Sequence, residues 1–338
     1  MTELVPCPGL SADWLNAWLA AIGITVLLPG VRLAWTSDPI PSALLYAPDH
    51  LLPLAPALAA AMPTDDDLRG LSISRTEGQD LPEFPRRVDL PAFAVRAQLE
   101  RRRHDGFLSA SVTDLIDPLP AEGLPHSPFD PPMPRGVTLW ERAVSCRRDV
   151  RDPAEAISRT LQGRGLRVSN NGLGFDIRRL SAGAGSGDAC VDPALELLAF
   201  HALPLFPVRG DGRRDSTRAW SGPPTRMGAF YWCGWSQPLD QWAIDSLLDL
   251  LPLAKRDSGL AHRLGLSSWF GAVPYQASGA SDTTRAYASQ RLSETMPPIA
   301  EPTSGRLRGS PQPRPQQHRL EGAGHPRAHR DSHSRRSQ

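Results

Sequence analysis

Lysine is almost absent. Of the 37 lysine and arginine residues only Lys255 is a lysine. Any chemistry that needs an ε-amine therefore has one candidate, and nearly every cation is a planar guanidinium suited to phosphate, carboxylate or stacking contacts. A phosphate-cradling P-loop closes in Lys-Ser/Thr after a glycine-rich turn, whereas Lys255 stands in Leu-Ala-Lys-Arg-Asp. Nucleotide hydrolysis of that type has no site. Lys255 also lacks the position one residue beyond a catalytic acid that restriction-type nucleases generally use.

Cysteine is scarce and scattered. Cys7, Cys146, Cys190 and Cys233 form no C-x-x-C pair, a pattern that fits buried, reduced thiols better than a disulfide framework or a zinc site. Long apolar runs are missing as well. The best stretch, Trp14 to Leu28, is interrupted by Asn16 and Gly23 and falls short of the ~20 residues that span a bilayer. The start, Met1-Thr2-Glu3-Leu4, has no basic region of the secretory kind. A cytoplasmic protein without membrane contact is expected. Charge of one sign is lacking too: the formal net charge is +1, so no global field draws the chain to polyanions. Neither H-E-x-x-H nor G-x-S-x-G occurs, which leaves zincin and hydrolase-elbow chemistry without a motif.

What is present is a globular composition, 40% hydrophobic against 22% charged, enough to build a core. Ser11 is placed to cap a helix through Trp14, Leu15, Trp18, Leu19 and Ile22, with Gly23 as its stop. Ile24–Leu28 then reads as a buried strand, and Val31, Leu33 and Trp35 alternate as a second one beyond the Pro29-Gly30 turn. From Asp38 to Pro63 prolines allow only short pieces, such as a helix over Pro56–Met62. Ala92–His104 reads as a helix. Residues 117–136 carry seven prolines and predict an extended, solvated linker. Thr138 and Glu141 then form a capping box, and Pro153 suits the first turn of a further helix. Asn170-Asn171-Gly172 signals a turn before a strand. A helix follows over Pro193–His201, then a short strand over Leu205–Val208 and a polar loop over Arg209–Pro224. Ala229–Trp235 alternates as an aromatic strand, Asp240 caps a helix to Leu251, and Ser267–Tyr275 reads as the last strand. After Leu292 apolar residues nearly vanish, which predicts a disordered basic tail. The fold class expected is α+β, with mixed helices and short, mostly antiparallel strands. Its parts are an N-terminal subdomain over 1–116, the linker 117–136, a second subdomain over 137–292 and the tail 293–338.

Two constellations bear on function. His104-Asp105 has the form of a phosphohydrolase dipeptide, and with other carboxylates it would serve a metal-dependent nuclease. His50, His126 and His201 supply no supporting pattern, and Thr64-Asp65-Asp66-Asp67 reads more simply as an acidic helix start. The second constellation is arginine. Between Arg135 and Arg226 roughly fifteen arginines stand against about ten acids. The glycine-supported run from Arg209 through Arg213 and Arg214 to Arg218 and Arg226, together with Arg178 and Arg179, offers guanidinium forks for phosphates. Trp220, Tyr231, Trp232 and Trp235 stand nearby as stacking surfaces for bases. These arginines and Trp220 are the candidate nucleic-acid contacts; no catalytic residue, metal or cofactor is assigned. A protein-interaction module whose exposed aromatics meet a partner is the other open alternative.

Three segments carry a resemblance. Pro8 to Gly23, with Gly-Leu ahead of a helix, resembles the amino-terminal helix of CRISPR-associated subunits. Pro193 to Pro207 is similar to their later helix and strand. Trp232-Cys-Gly-Trp-Ser-Gln-Pro-Leu239 resembles the W-x-x-W-x-x-P-L stretch before their next helix. The family is the type I-U (I-G) CRISPR–Cas effector subunits, in particular small Csb-class proteins that resemble large subunits. His201-Ala202 departs from the small Gly-Leu pair of that pattern. The resemblance implies a non-enzymatic subunit of an RNA-guided antiviral complex that touches crRNA or target DNA and companion subunits. Strand cutting would belong to a separate nuclease–helicase.

Overall fold

A computed structural model describes residues 2–64, 113–117, 127–129, 139–170, 172–175, 190–221, 229–276 and 285–292. The expected helix Ala92–His104, the acidic run 65–67, the His104-Asp105 pair and the tail 293–338 lie outside these residues.

Helix α1, Leu15–Leu27, runs through the hydrophobic core. Every residue from Leu15 to Thr25 is buried, so the helix is enclosed on all sides rather than amphipathic. Gly23 does not end it, and Ile24–Leu28 is not a strand. A β-carbon at Gly23 would stand 1.9 Å from the Leu198 carbonyl oxygen. The glycine is therefore the point where a second helix crosses at backbone contact. Ser11 does not cap α1 either; it closes strand β1, Thr2–Ser11, and the helix starts after Trp14 without a side-chain cap.

The crossing helix is α5, Pro193–Phe200, all eight of whose residues are buried. Pro193 presets its first turn, and the Asp192 Oδ1 accepts from the Ala194 and Leu195 amides at 3.1 and 3.3 Å. The fully buried Glu196 accepts from Asn16 Nδ2 of α1 at 3.1 Å and from the Leu173 amide at 2.7 Å, tying both helices to the 172–175 turn.

Around this pair lie α2 (Leu54–Ala61), α3 (Leu139–Asp149), α4 (Pro153–Leu161), α6 (Gln241–Ala254) and the short α7 (Ser258–Arg263). One sheet has the order β1-β3-β2, with β3 (Ser42–Pro48) between β1 and β2 (Arg32–Trp35). Ala43, Leu45 and Ala47 alternate inward along β3, which makes a sheet buried on one face. The second sheet runs β11-β10-β9-β8, from β8 (Trp220–Ser221) through β9 (Ala229–Trp235) and β10 (Leu266–Gln276) to β11 (Arg285–Leu292). Two ribbons, β4/β5 (Val168–Ser169 with Cys190–Val191) and β6/β7 (Val208–Gly210 with Asp215–Thr217), complete the strands. Among the described residues every pair of named strands is antiparallel, and the class is α+β.

One core unites the described residues of the first compact unit. The Trp18 indole lies 5.9–6.4 Å from the rings of Phe206, Phe230, Trp232 and Trp235, and its Nε1 donates to the Cys233 carbonyl at 2.9 Å. Trp232 Nε1 donates to the Ala12 carbonyl at 2.6 Å and Trp235 Nε1 to that of Leu33 at 2.8 Å. The segments expected as two subdomains are thus halves of one hydrophobic cluster, inside a compact unit bounded by Met1 and Pro297. The linker contributes to that core rather than staying solvated throughout. Phe129, 2% exposed, packs 4.9 Å from Phe230 and 5.4 Å from Phe175. Proline density hid a single aromatic anchor. Among the described residues no helix is long and apolar enough to cross a membrane.

Candidate nucleic-acid interface

The run expected as a polar loop from Arg209 contains the β6/β7 hairpin. Its turn is Asp211-Gly212-Arg213-Arg214, and Gly212 holds φ +91°, the left-handed region that glycine reaches without penalty. The Asp211 carboxylate accepts from the Arg213 and Arg214 amides, both at 2.8 Å, and those bonds hold its pKa below the ordinary carboxylate value. The Asp211 amide donates to the Arg214 carbonyl at 3.1 Å. A second strand of contacts grips the tip from residues 115–117. The Gly212 amide donates to the Leu115 carbonyl at 3.0 Å and the Asp117 amide to that of Gly212 at 3.1 Å. A β-carbon at Gly210 would meet the Leu115 oxygen at 2.2 Å. On this tip Arg213 and Arg214 are exposed, and neither is ion-paired to a described residue.

Arg209 and Arg218 behave differently. Arg218 is only 8% exposed. Its Nε and one terminal nitrogen grip the two Asp249 oxygens at 2.7 Å each, while the other nitrogen donates to Asp245 and, at 3.0 Å, to the Leu205 carbonyl. A guanidinium with this many acceptors is a buried structural cation, and it has no fork left for phosphate. Arg209 spends one nitrogen on Asp249 at 2.9 Å and stays 45% exposed. Burial raises the Asp249 carboxyl, but the hydrogen bonds and charges of Arg218 and Arg209 outweigh it and leave the pKa lowered.

The sequence therefore brought together more cations than the fold leaves available. Asp245 and Asp249 were missed: they lie one turn apart on α6, where i,i+4 acids share a face. That spacing was a readable signal, although nothing in it names a partner some thirty residues upstream. Trp220 is half-buried, its ring 6.0 Å from Phe129 and 6.3 Å from Phe230. Trp232 and Trp235 are fully buried, so they are core rings rather than stacking platforms. Arg178, Arg179 and Arg226 lie outside the described residues.

Several other reactive groups are sequestered. Lys255 places its Nζ 2.9 Å above the Tyr231 ring centroid, and burial lowers its pKa to about 8. Burial lowers His201 to about 4 and raises the thiols of Cys7, to about 12, and of Cys146 and Cys233. His50 is exposed. Among the described residues no group of three or more His, Cys, Asp or Glu could hold a metal ion. No family model, curated protein or solved structure matches the chain.

Proposed function

We propose that the protein is a non-catalytic subunit of a CRISPR RNA-guided antiviral effector complex, contacting the crRNA or target-DNA backbone and companion subunits. The observation that carries the phosphate contact is the braced hairpin tip, whose Arg213 and Arg214 guanidinia are exposed and ion-paired to no described residue. Adjacent exposed guanidinium forks on a fixed turn suit phosphate oxygens and carry no base specificity. The CRISPR context is supported by the three resembling segments. All three contribute to the core: Pro8–Gly23 contains most of α1, Pro193–Pro207 contains α5, and Trp232–Leu239 includes the end of β9 that packs on α1.

A second reading, a protein-interaction module without nucleic-acid contact, is favoured by one observation. Helix α6 leaves Trp242 71%, Leu253 56% and Leu250 38% exposed. Affinity purification of the full chain from a host carrying CRISPR arrays separates the two. The proposal expects crRNA and companion subunits to copurify, with the RNA component held in a salt-sensitive way. Recovery of protein partners without nucleic acid, together with no binding of added RNA or DNA at low salt, would transfer the assignment to the second reading.

A further inference from the structure

We propose that Arg218, Asp245 and Asp249 are positioning residues that hold the Arg213–Arg214 tip in its phosphate-ready arrangement; the inference rests on the nucleic-acid reading above.

The argument is geometric. The tip is a short two-ended structure. Its far end is fixed by the Asp211 carboxylate and by the backbone bonds of Gly212 to Leu115 and Asp117. Its base, where β6 leaves and β7 returns toward β8, is fixed by ion pairs to one helix face. Arg209, on β6, and Arg218, just past β7, both terminate on Asp249, and Arg218 also reaches Asp245 and the Leu205 carbonyl. The two strands of the hairpin thus close on a single carboxylate of α6. Helix α6 is itself anchored, with Ile244, Leu247, Leu248 and Leu251 in the core. The side chains of Arg213 and Arg214 are long and rotamer-rich. They gain affinity from a backbone that does not have to be ordered at the moment of binding.

A plain charge argument makes the opposite prediction. Removing the Asp249 charge releases Arg209 and leaves Arg218 with Asp245 and the Leu205 carbonyl alone; the added net positive charge beside the tip should strengthen binding to a polyanion and steepen its salt dependence. The positioning role predicts weaker binding with the salt dependence unchanged.

The test uses the full chain and a single-stranded RNA of mixed sequence, titrated across a salt series. Arg213→Ala and Arg214→Ala serve as contact references, each expected to reduce the slope of log K against log salt by about 0.7. Asp249→Asn, and Asp245→Asn combined with it, should leave that slope as in wild type. They should weaken binding roughly 2- to 10-fold, the range set by re-ordering the freed tip. Hydrogen exchange supplies a readout independent of nucleic acid: the Gly212, Arg213 and Arg214 amides should exchange on the order of tenfold faster in Asp249→Asn. Should the double variant fold poorly, the single one decides. Unchanged affinity and slope in both arginine variants would overturn the nucleic-acid reading and this inference with it. Normal effects in the arginine variants, combined with tighter binding, a steeper slope or unaltered amide exchange in Asp249→Asn, would overturn the positioning role alone.

Discussion

Replacing Gly23 by alanine adds one methyl group at the place where α1 and α5 cross. The new carbon would start 1.9 Å from the Leu198 carbonyl oxygen and 3.3 Å from the Ala202 amide nitrogen. The obstacle is backbone inside a buried helix and cannot rotate away, so even a 3.0 Å contact requires the helices to part by about 1 Å. Overpacking of this kind costs ~1–3 kcal/mol, and a gap of that width forfeits a quarter to a half of the dispersion at each atom pair along the crossing. Alanine returns ~1 kcal/mol through helix propensity. The lost dispersion roughly offsets that return, so the net loss should be about 1–3 kcal/mol, a Tm reduction of roughly 2–6 °C for a unit of this size. Gly259→Ala in α7 is the control, because its methyl meets only the Asp257 carboxylate oxygen, at 3.2 Å, and an Arg263 nitrogen at 3.5 Å. Tryptophan fluorescence is a direct assay, since Trp18, Trp232 and Trp235 all report on the shared core. A single transition that moves as a whole is expected. A second transition that stays put, or a Tm equal to that of wild type, would refute the reasoning that the two halves of the chain form one packing unit.

The remaining predictions concern caps and protons. Asp192→Ala removes the cap of α5 and the partner of Thr160 Oγ1, 2.7 Å away; a loss of about 2–3 kcal/mol in chemical denaturation is expected. His201 is kept neutral by burial, with its pKa lowered from 6.5 to about 4. The unfolded chain binds the extra proton first, so His201 contributes stability that is complete above pH 6.5 and is lost as pH falls toward 4. The loss is on the order of 3 kcal/mol. Denaturation midpoints of wild type and His201→Gln should therefore converge through that window; parallel curves would remove the assignment.

Much of the fold was legible where local chemistry and tertiary packing agree. Pro153 and Pro193 opened helices where their fixed φ suits a first turn, Asp240 capped α6, and Ala229–Trp235 alternated as the strand it forms. The failures share a cause. An all-buried helix offers no contrast between faces, so α1 looked finished at Gly23, a residue chosen for a neighbour 175 positions away. β1 was missed because Pro6, Pro8 and Gly9 weaken any strand reading, yet the strand pairs on one side with β3 while Gly9 lies against the Thr160 carbonyl. At the candidate interface the sequence showed the arginines but not their partners. Arg218 and Arg213 are alike on paper. Only the placement of Asp245 and Asp249 makes the first a buried brace and leaves the second exposed.

The most direct measurement is the salt dependence of RNA binding by the full chain and by a variant carrying both Arg213→Ala and Arg214→Ala. The account predicts that wild-type affinity falls steeply with salt, with little regard to RNA sequence. The double variant should bind more weakly for every sequence, with a slope smaller by about 1.4. Superimposable titrations of the two proteins, or wild-type binding indifferent to salt, would contradict it.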